Sequence, residues 1–139
     1  MIDNILNKLL KDVKVDKNRV TKSINTILSR YNFNEEDVTI YRKKLKPSEI
    51  FVVAVEECNL KTARKLAKGK YADIFPAPIT ILEFKGKYIL FMGSNRSIVF
   101  VLKKRMPDCV IITIPNIKLT PIIVSEARQT LEQVIEAQQ

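Results

Sequence analysis

The residues best suited to chemistry lie where the apolar run from Tyr88 to Met92 gives way to a short polar stretch, Gly93-Ser94-Asn95-Arg96-Ser97. A turn at glycine leaves backbone N–H groups available, and the residues after it add side-chain donors and a fixed positive charge. A helix that starts here would add the partial positive charge of its N-terminus. The stretch therefore predicts a binding site for phosphate or carboxylate. The alternative is an ordinary strand-to-helix turn that ends in a surface arginine.

The other candidates for chemistry are carboxylates, because the chain contains no histidine. That absence excludes Ser-His and Cys-His dyads and histidine-bearing zinc sites, so a general base would be a carboxylate, a lysine or a tyrosine. Glu49, which follows a proline turn, is either such a base or a solvated side chain. Glu56 and Glu57 either bind Mg²⁺ or supply negative charge at a helix start. Cys58 and Cys109 lack the spacing of a metal or redox pair, and we expect buried thiols.

The formal net charge is +9 over 139 residues. Such a charge attracts nucleotides, nucleic acids or anionic surfaces, although it also serves solubility. Four basic residues recur at i, i+3, i+4 and i+7, which puts them on one helix face. That face either holds phosphates, follows a DNA backbone or is simply solvated; its residues are Lys61, Arg64, Lys65 and Lys68.

Hydrophobic periodicity predicts elements of the α+β class. Helices are expected over 2–13 and 17–31, the second capped by Asp16, and a further helix follows Asn59 and ends at Gly69. The predicted strands are 38–45, 50–55 (alternatively a loop or a short helix), 77–84, 87–92 and 108–114, with a hairpin turn at Lys85-Gly86. A last amphipathic helix is expected to be capped by Thr120, to open at Pro121 and to bury Ile123, Ala127, Leu131, Val134 and Ile135.

The segment 97–102 presents a conflict between two local signals. Its β-branched residues favour a strand on propensity alone. We predict a buried helix, because Ser94 and Asn95 are good N-caps and the basic residues 103–105 suit a helix C-terminus. Propensity is the weaker signal where tertiary packing decides.

The order of these motifs resembles the ParB/sulfiredoxin superfamily over residues 38–115. The resemblance lies in Lys46-Pro47-Ser48-Glu49, a helix, Pro78-Ile79-Thr80-Ile81, Gly86-Lys87-Tyr88-Ile89-Leu90, Gly93-Ser94-Asn95-Arg96 and Val110-Ile111-Ile112. It implies a ParB/sulfiredoxin-like mixed sheet with flanking helices. Residues 1–37 would then be a helical N-terminal extension, 38–115 the nucleotide-binding domain and 116–139 a C-terminal helix that packs on it.

In that superfamily the Gly-x-x-Arg turn holds nucleotide phosphates, which implies ATP or ADP, with Mg²⁺, as cofactor here. Gly93 would allow close approach of the phosphate, Arg96 would bind it, and Ser94, Asn95 and Ser97 would complete the site. Glu49 matches the glutamate that acts as base in the Lys-Pro-x-Glu segment of the related free-serine kinases. Ser94 stands where sulfiredoxins carry their catalytic cysteine, which argues against sulfinic acid repair.

The resemblance implies nucleotide hydrolysis or phosphoryl transfer to a small hydroxyl compound. The alternative functions are a DNA-binding ParB-like module with nucleotide as ligand or switch, and a scaffold that has lost its chemistry. The C-terminal helix would mediate a homodimer or close the core. No apolar run is long enough to span a bilayer and no signal peptide is visible, so we expect a cytoplasmic protein with no membrane partner.

Overall fold

The computed structural model describes residues 2–90, 92–114 and 126–139. The helices are α1 (Ile2–Leu9), α2 (Lys17–Arg30), α3 (Leu60–Lys68), α4 (Ser94–Leu102) and α5 (Leu131–Ala137). The strands are β1 (Thr39–Lys44), β2 (Ile50–Val52), β3 (Ile79–Phe84), β4 (Lys87–Leu90), β5 (Asp108–Thr113) and β6 (Gln129–Thr130). Within this part of the chain, no helix combines the length and the apolar character needed to cross a membrane.

The strands form one mixed sheet in the order β1-β5-β3-β4-β2-β6. The pairs β3/β5 and β2/β4 are parallel, whereas β1/β5, β3/β4 and β2/β6 are antiparallel. Helix α4 lies between β4 and β5 in the chain, and its N-terminus follows the end of β4. This arrangement confirms the α+β class with a mixed sheet and flanking helices.

Helices cover both faces of the sheet. Side chains alternate between the two faces along each strand, so each face presents apolar side chains to the helices that pack on it. On one face, α1 and α2 pack against Leu82, Phe84, Ile89, Val110 and Ile112. On the other face, α3, α4 and α5 pack against Ile79, Ile81, Leu90, Cys109 and Ile111. The N-terminal helices therefore share a core with the sheet.

Several local predictions are confirmed. Lys85 and Gly86 both adopt positive φ, 50° and 77°, as a two-residue hairpin turn requires. The side chain of Asn59 caps α3 by accepting from the Thr62 N–H at 2.9 Å. Segment 97–102 is helical, and its branched side chains Ile98 and Val99 lie in the core.

Two N-cap predictions need correction. The N-cap of α4 is Gly93, with φ of 84° and no side-chain cap, so Ser94 and Asn95 are the first helical residues instead. Asp16 does occupy the N-cap of α2, but its carboxylate makes no cap hydrogen bond. It binds other side chains, as described below.

The ends of three elements also differ from prediction. Helix α1 ends at Leu9, and β2 stops at Val52, where its neighbour β4 also finishes. The predicted cap Thr120, Pro121 and Ile123 lie outside the described residues. Helix α5 is capped by Thr130, whose Oγ1 accepts from the Gln133 N–H while Gln133 Oε1 accepts from the Thr130 N–H. Ala127 therefore precedes this helix instead of belonging to it.

Candidate functional site

Helix α4 starts at the turn that follows β4. Gly93 adopts φ of 84°, a left-handed conformation that suits glycine. The first bond inside α4 runs from the Ser97 N–H to the Gly93 carbonyl at 2.9 Å. The N–H groups of residues 94–96 precede that bond and so have no partner within the helix. They supply backbone donors at the positive end of the helix dipole.

Arg96 folds back over this turn. A Cβ atom on Gly93 would lie 2.7 Å from Nη2 of Arg96 and 3.3 Å from its Cζ. The guanidinium can occupy its position only because residue 93 has no side chain. Side chains in the first turn of a helix point back towards its N-terminus, which brings this cation to the free N–H groups.

The Arg96 guanidinium is buried without a counter-ion. The residue is 6% exposed, and its Nη1 atom has no hydrogen-bond partner. Within residues 2–90, 92–114 and 126–139, no carboxylate lies within 4.0 Å of it. Burying an unpaired charge costs free energy, so this arrangement calls for an anion.

Arg42 shows how the same chain treats an arginine with a structural role. It donates to both oxygens of Asp108 at 2.9 and 2.5 Å, to Asp12 at 2.6 Å and to the Leu9 carbonyl at 2.7 Å. The Asp108 carboxylate is the main reason that the pKa of Arg42 is raised. Burial without such a partner lowers the pKa of Arg96. An arginine remains a cation at neutral pH in either environment.

A pocket of about 450 Å³ opens at the turn, and we call it the Arg96 pocket. It is lined by Arg19, Glu57, Leu66, Lys70, Tyr71, Gly93, Ser94, Asn95 and Arg96. Three cations from distant parts of the chain thus meet there: Arg19 from α2, Lys70 after α3 and Arg96 from α4. The sequence analysis did not single out Arg19, Lys70 or Tyr71, and no local pattern marks them, because only the fold brings them to the turn.

The Asp16 carboxylate pairs with one of these cations, Lys70. Its Oδ2 is 2.8 Å from Lys70 Nζ and accepts from the Tyr71 hydroxyl at 3.2 Å. The hydrogen bond from Lys70 lowers the pKa of Asp16 despite its partial burial. Arg19 lowers the pKa of Arg96 further by repulsion, whereas Tyr71 and Asp16 oppose that effect.

The remaining residues predicted for the nucleotide site differ in position. Asn95 lines the pocket, and its Oδ1 accepts from the Asn59 N–H at 2.8 Å, which leaves Nδ2 as a donor. Ser94 also lines the pocket, and its carbonyl accepts from the Ser97 hydroxyl at 2.5 Å. Ser97 is fully buried, so the structure does not bring its side chain to the pocket.

The structure does not bring Glu49 to the pocket either. Parallel pairing sets Ile50 beside Tyr88, so Glu49 lies where β4 begins, whereas Gly93 follows the end of that strand. The Glu49 carboxylate accepts from the Lys46 N–H at 2.9 Å. The carboxylate that lines the pocket belongs to Glu57.

The predicted basic face and the cysteines are also located. The four basic residues of the predicted face are exposed on α3 and do not line the Arg96 pocket; they are Lys61, Arg64, Lys65 and Lys68.

Cys58 and Cys109 are buried free thiols, as predicted, and burial raises the pKa of both. Within the described part of the chain, no group of three or more Cys, Asp and Glu side chains could hold a metal ion.

A search of solved structures finds the crystal structure of sulfiredoxin from Arabidopsis thaliana. It is 15% identical to this chain, aligns over 64% of this chain and 98% of that chain, and has a TM-score of 0.42. No protein-family model matches the sequence, and no curated protein matches it. What this chain binds must therefore be inferred from the residues of the pocket themselves.

Proposed function

We propose that this protein binds the phosphate groups of a purine nucleotide, ATP or ADP, in the Arg96 pocket. The observation that carries the proposal is the Arg96 guanidinium, which is buried at the start of α4 and has no carboxylate partner among the described residues. The N–H groups of this first turn have no partner within the helix. A phosphate oxygen would satisfy both features at once. Leu66, which is half-buried, is the apolar side chain of the lining available to a base.

The energetics favour an anion at this position. An unsatisfied buried polar group costs about 1–3 kcal/mol, and a charged one costs more. Hydrogen bonds to charged groups return about 1.5–3 kcal/mol each. Because Gly93 and Arg96 already hold their positions through the fold, little ordering is needed on binding.

The proposal includes slow hydrolysis or transfer of the terminal phosphoryl group. Such reactions depend mainly on positioning and charge neutralisation, which the pocket cations supply. Glu57 is better placed than Glu49 to orient an attacking hydroxyl or water, because Glu57 lines the pocket. Mg²⁺ would fit as an ion held chiefly by the phosphates, with Glu57 as a single protein carboxylate.

Binding is tested by calorimetry with ATP and ADP. Arg96→Ala should weaken both affinities at least about tenfold, the effect of losing one charged hydrogen bond. Arg64→Ala is the matched control, because it removes the same charge from an exposed site outside the pocket. Equal affinities for Arg96→Ala and the wild type, or a wild type that binds neither nucleotide, would contradict the proposal.

Catalysis is tested by phosphate release from ATP with Mg²⁺. Glu57→Gln should slow the reaction, while Glu49→Gln should leave the rate unchanged. The reverse pattern would return the role of base to Glu49. Equal rates for both variants and the wild type would remove both carboxylates from the mechanism.

DNA association is a second candidate function. The four cations of the α3 face are exposed, and none forms an ion pair with a carboxylate of the described residues. A face of this kind contacts phosphates along a duplex, with an affinity that falls steeply with salt. Fluorescence anisotropy with duplex DNA tests this, comparing the wild type with Arg64→Ala at two salt concentrations. Absence of binding at low salt would end the DNA hypothesis.

A further inference from the structure

The cations of the Arg96 pocket come from two sides. Arg96 and the N–H groups of residues 94–96 form one side, on α4. Arg19, on α2, and Lys70, after α3, form the other. Arg19 is exposed, and none of the ion pairs among the described residues involves it. The N-terminal helical segment thus contributes a positive charge to a pocket built by the sheet and α4.

The pocket is larger than one phosphate group. A tetrahedral phosphate, with four oxygen atoms, takes roughly the space of four water molecules, or about 120 Å³. The pocket volume is about 450 Å³. A single phosphate on Arg96 and the helix N-terminus would leave most of the space unfilled. It would also leave Arg19 without an ion pair among the described residues, although Arg19 lies close enough to Asp16 to lower the pKa of that carboxyl.

A negative group, the Asp16 carboxylate, already lies on the Lys70 side of the pocket. It pairs with Lys70 and accepts from the hydroxyl of Tyr71, a residue that lines the pocket. Three cations, Arg19, Lys70 and Arg96, therefore meet two carboxylates at the pocket. Glu57 lines it, and Asp16 pairs with Lys70 and acts more weakly on Arg96. The charge left over is positive, and a ligand with two negative groups can bridge Arg96 and Arg19.

Given the proposed function, on which this inference rests, we infer that the pocket recognises two linked phosphates rather than one. The first phosphate binds Arg96 and the N–H groups of residues 94–96. The second binds Arg19, and Lys70 is shared between that phosphate and Asp16. Arg19 is thus a specificity-determining residue for a diphosphate, either inorganic pyrophosphate or the diphosphate of a nucleotide.

The test is calorimetry with four probes: inorganic phosphate, pyrophosphate, AMP and ADP. Arg19→Ala should weaken pyrophosphate and ADP about tenfold, as expected for one charged hydrogen bond, and change phosphate and AMP less than about twofold. Arg30→Ala, which removes an exposed arginine outside the pocket, should change none of the four. Asp16→Asn should strengthen pyrophosphate and ADP selectively, because it removes a competing carboxylate and frees Lys70. Circular dichroism confirms that each variant is folded.

The outcomes separate this inference from the proposed function. If Arg19→Ala weakens the monophosphates and the diphosphates equally, or weakens none of them, while Arg96→Ala still abolishes binding, the inference fails and the proposed function stands. If the wild type binds no probe, both fail. Tighter binding of ADP than of pyrophosphate supports the inference with a nucleotide as the source, and equal binding supports it with the free diphosphate.

Discussion

At the scale of single residues, Arg42 and Arg96 differ in how their guanidinium groups are paired. Arg42 has two carboxylates and a carbonyl around its guanidinium. Arg96 is more deeply buried and has no carboxylate partner among the described residues. Burying such a cation costs free energy that no ion pair among the described residues offsets, which supports the proposed role of Arg96 in binding an anion.

This contrast predicts opposite effects on stability. Arg42→Met should lower the free energy of unfolding by about 1–3 kcal/mol, because it leaves Asp108 without its hydrogen bonds. Arg96→Met should keep the free energy of unfolding within about 1 kcal/mol of the wild type, or raise it, because it removes an uncompensated buried charge. Urea denaturation in a buffer without phosphate measures both. A strongly destabilised Arg96→Met would mean that the guanidinium has a structural partner.

Some site residues could be predicted from sequence, and others could not. Gly93, Asn95 and Arg96 are neighbours in the chain, so a local motif reveals them. Arg19 and Lys70 belong to other helical segments, and nothing near them signals an anion site. Their role depends on how α2 and the end of α3 pack, which only tertiary structure determines.

At the scale of elements, Asp16 links the start of α2 to the chain after α3. The carboxylate binds Lys70 and Tyr71, which explains why its side chain is not used as a helix cap. Asn95 makes a similar link between α4 and the cap of α3 through the Asn59 N–H. Both contacts fix the helices that surround the Arg96 pocket.

The Asp16 link predicts a pH-dependent stability. Its pKa is lowered from the ordinary value of 3.8, chiefly by Lys70, so the ion pair stabilises the fold above that pH and is lost as pH falls below it. The Lys70 side chain is 43% exposed, so solvent screening limits the size of this contribution. The difference in unfolding free energy between the wild type and Asp16→Asn should therefore be positive at about pH 7 and shrink as the pH falls below 3.8.

The matched control for this prediction is Asp73→Asn. Asp73 is exposed and takes part in none of the ion pairs among the described residues. Its substitution should leave the pH dependence of unfolding unchanged. A wild-type advantage over Asp16→Asn that persists undiminished in acid would show that the link is not electrostatic.

The elements themselves were predicted best where one local signal is strong. The Lys85-Gly86 turn and the Asn59 cap are short-range features, and both were identified. The start of α5 has a local signal that the sequence analysis does not use, because Thr130 and Gln133 have the spacing of a capping box, Thr-x-x-Gln. The predicted start at Thr120-Pro121 lies outside the described residues. The strand β6 has only two residues, too few to show a hydrophobic periodicity in the sequence. It exists as a strand because it pairs with β2.

At the scale of the whole molecule, the helices on both faces of the sheet share buried cores with its strands. Helix α2 buries Val20, Ile24, Ile27 and Leu28 in the same cluster as Leu82 and Val110 of the sheet. Residues of the predicted N-terminal extension therefore contribute to the core as well as to the pocket.

This shared core predicts a large effect of a distant substitution. Ile24, on α2, is 0% exposed, whereas Ile5, on α1, is 40% exposed. Ile24→Ala should lower the free energy of unfolding by about 2–5 kcal/mol, the usual cost of truncating a buried aliphatic side chain. Ile5→Ala should lower it by less than about 1 kcal/mol. Urea unfolding followed by both circular dichroism and tyrosine fluorescence measures this, and separate transitions would show that α2 unfolds independently of the sheet.

The buried thiol of Cys58, next to Ser94 at the turn, has a consequence for experiments across the neutral range. The chain has no histidine, and burial moves ionisation of this thiol to higher pH, so the turn lacks the side chains that ordinarily change charge between about pH 5 and pH 8. A phosphate monoester takes its second negative charge near pH 6. If AMP binds more tightly as the pH rises from mildly acidic to neutral, the protons released on binding will come from the phosphate group of the ligand. The number of protons released will then give the change in the charge of the ligand.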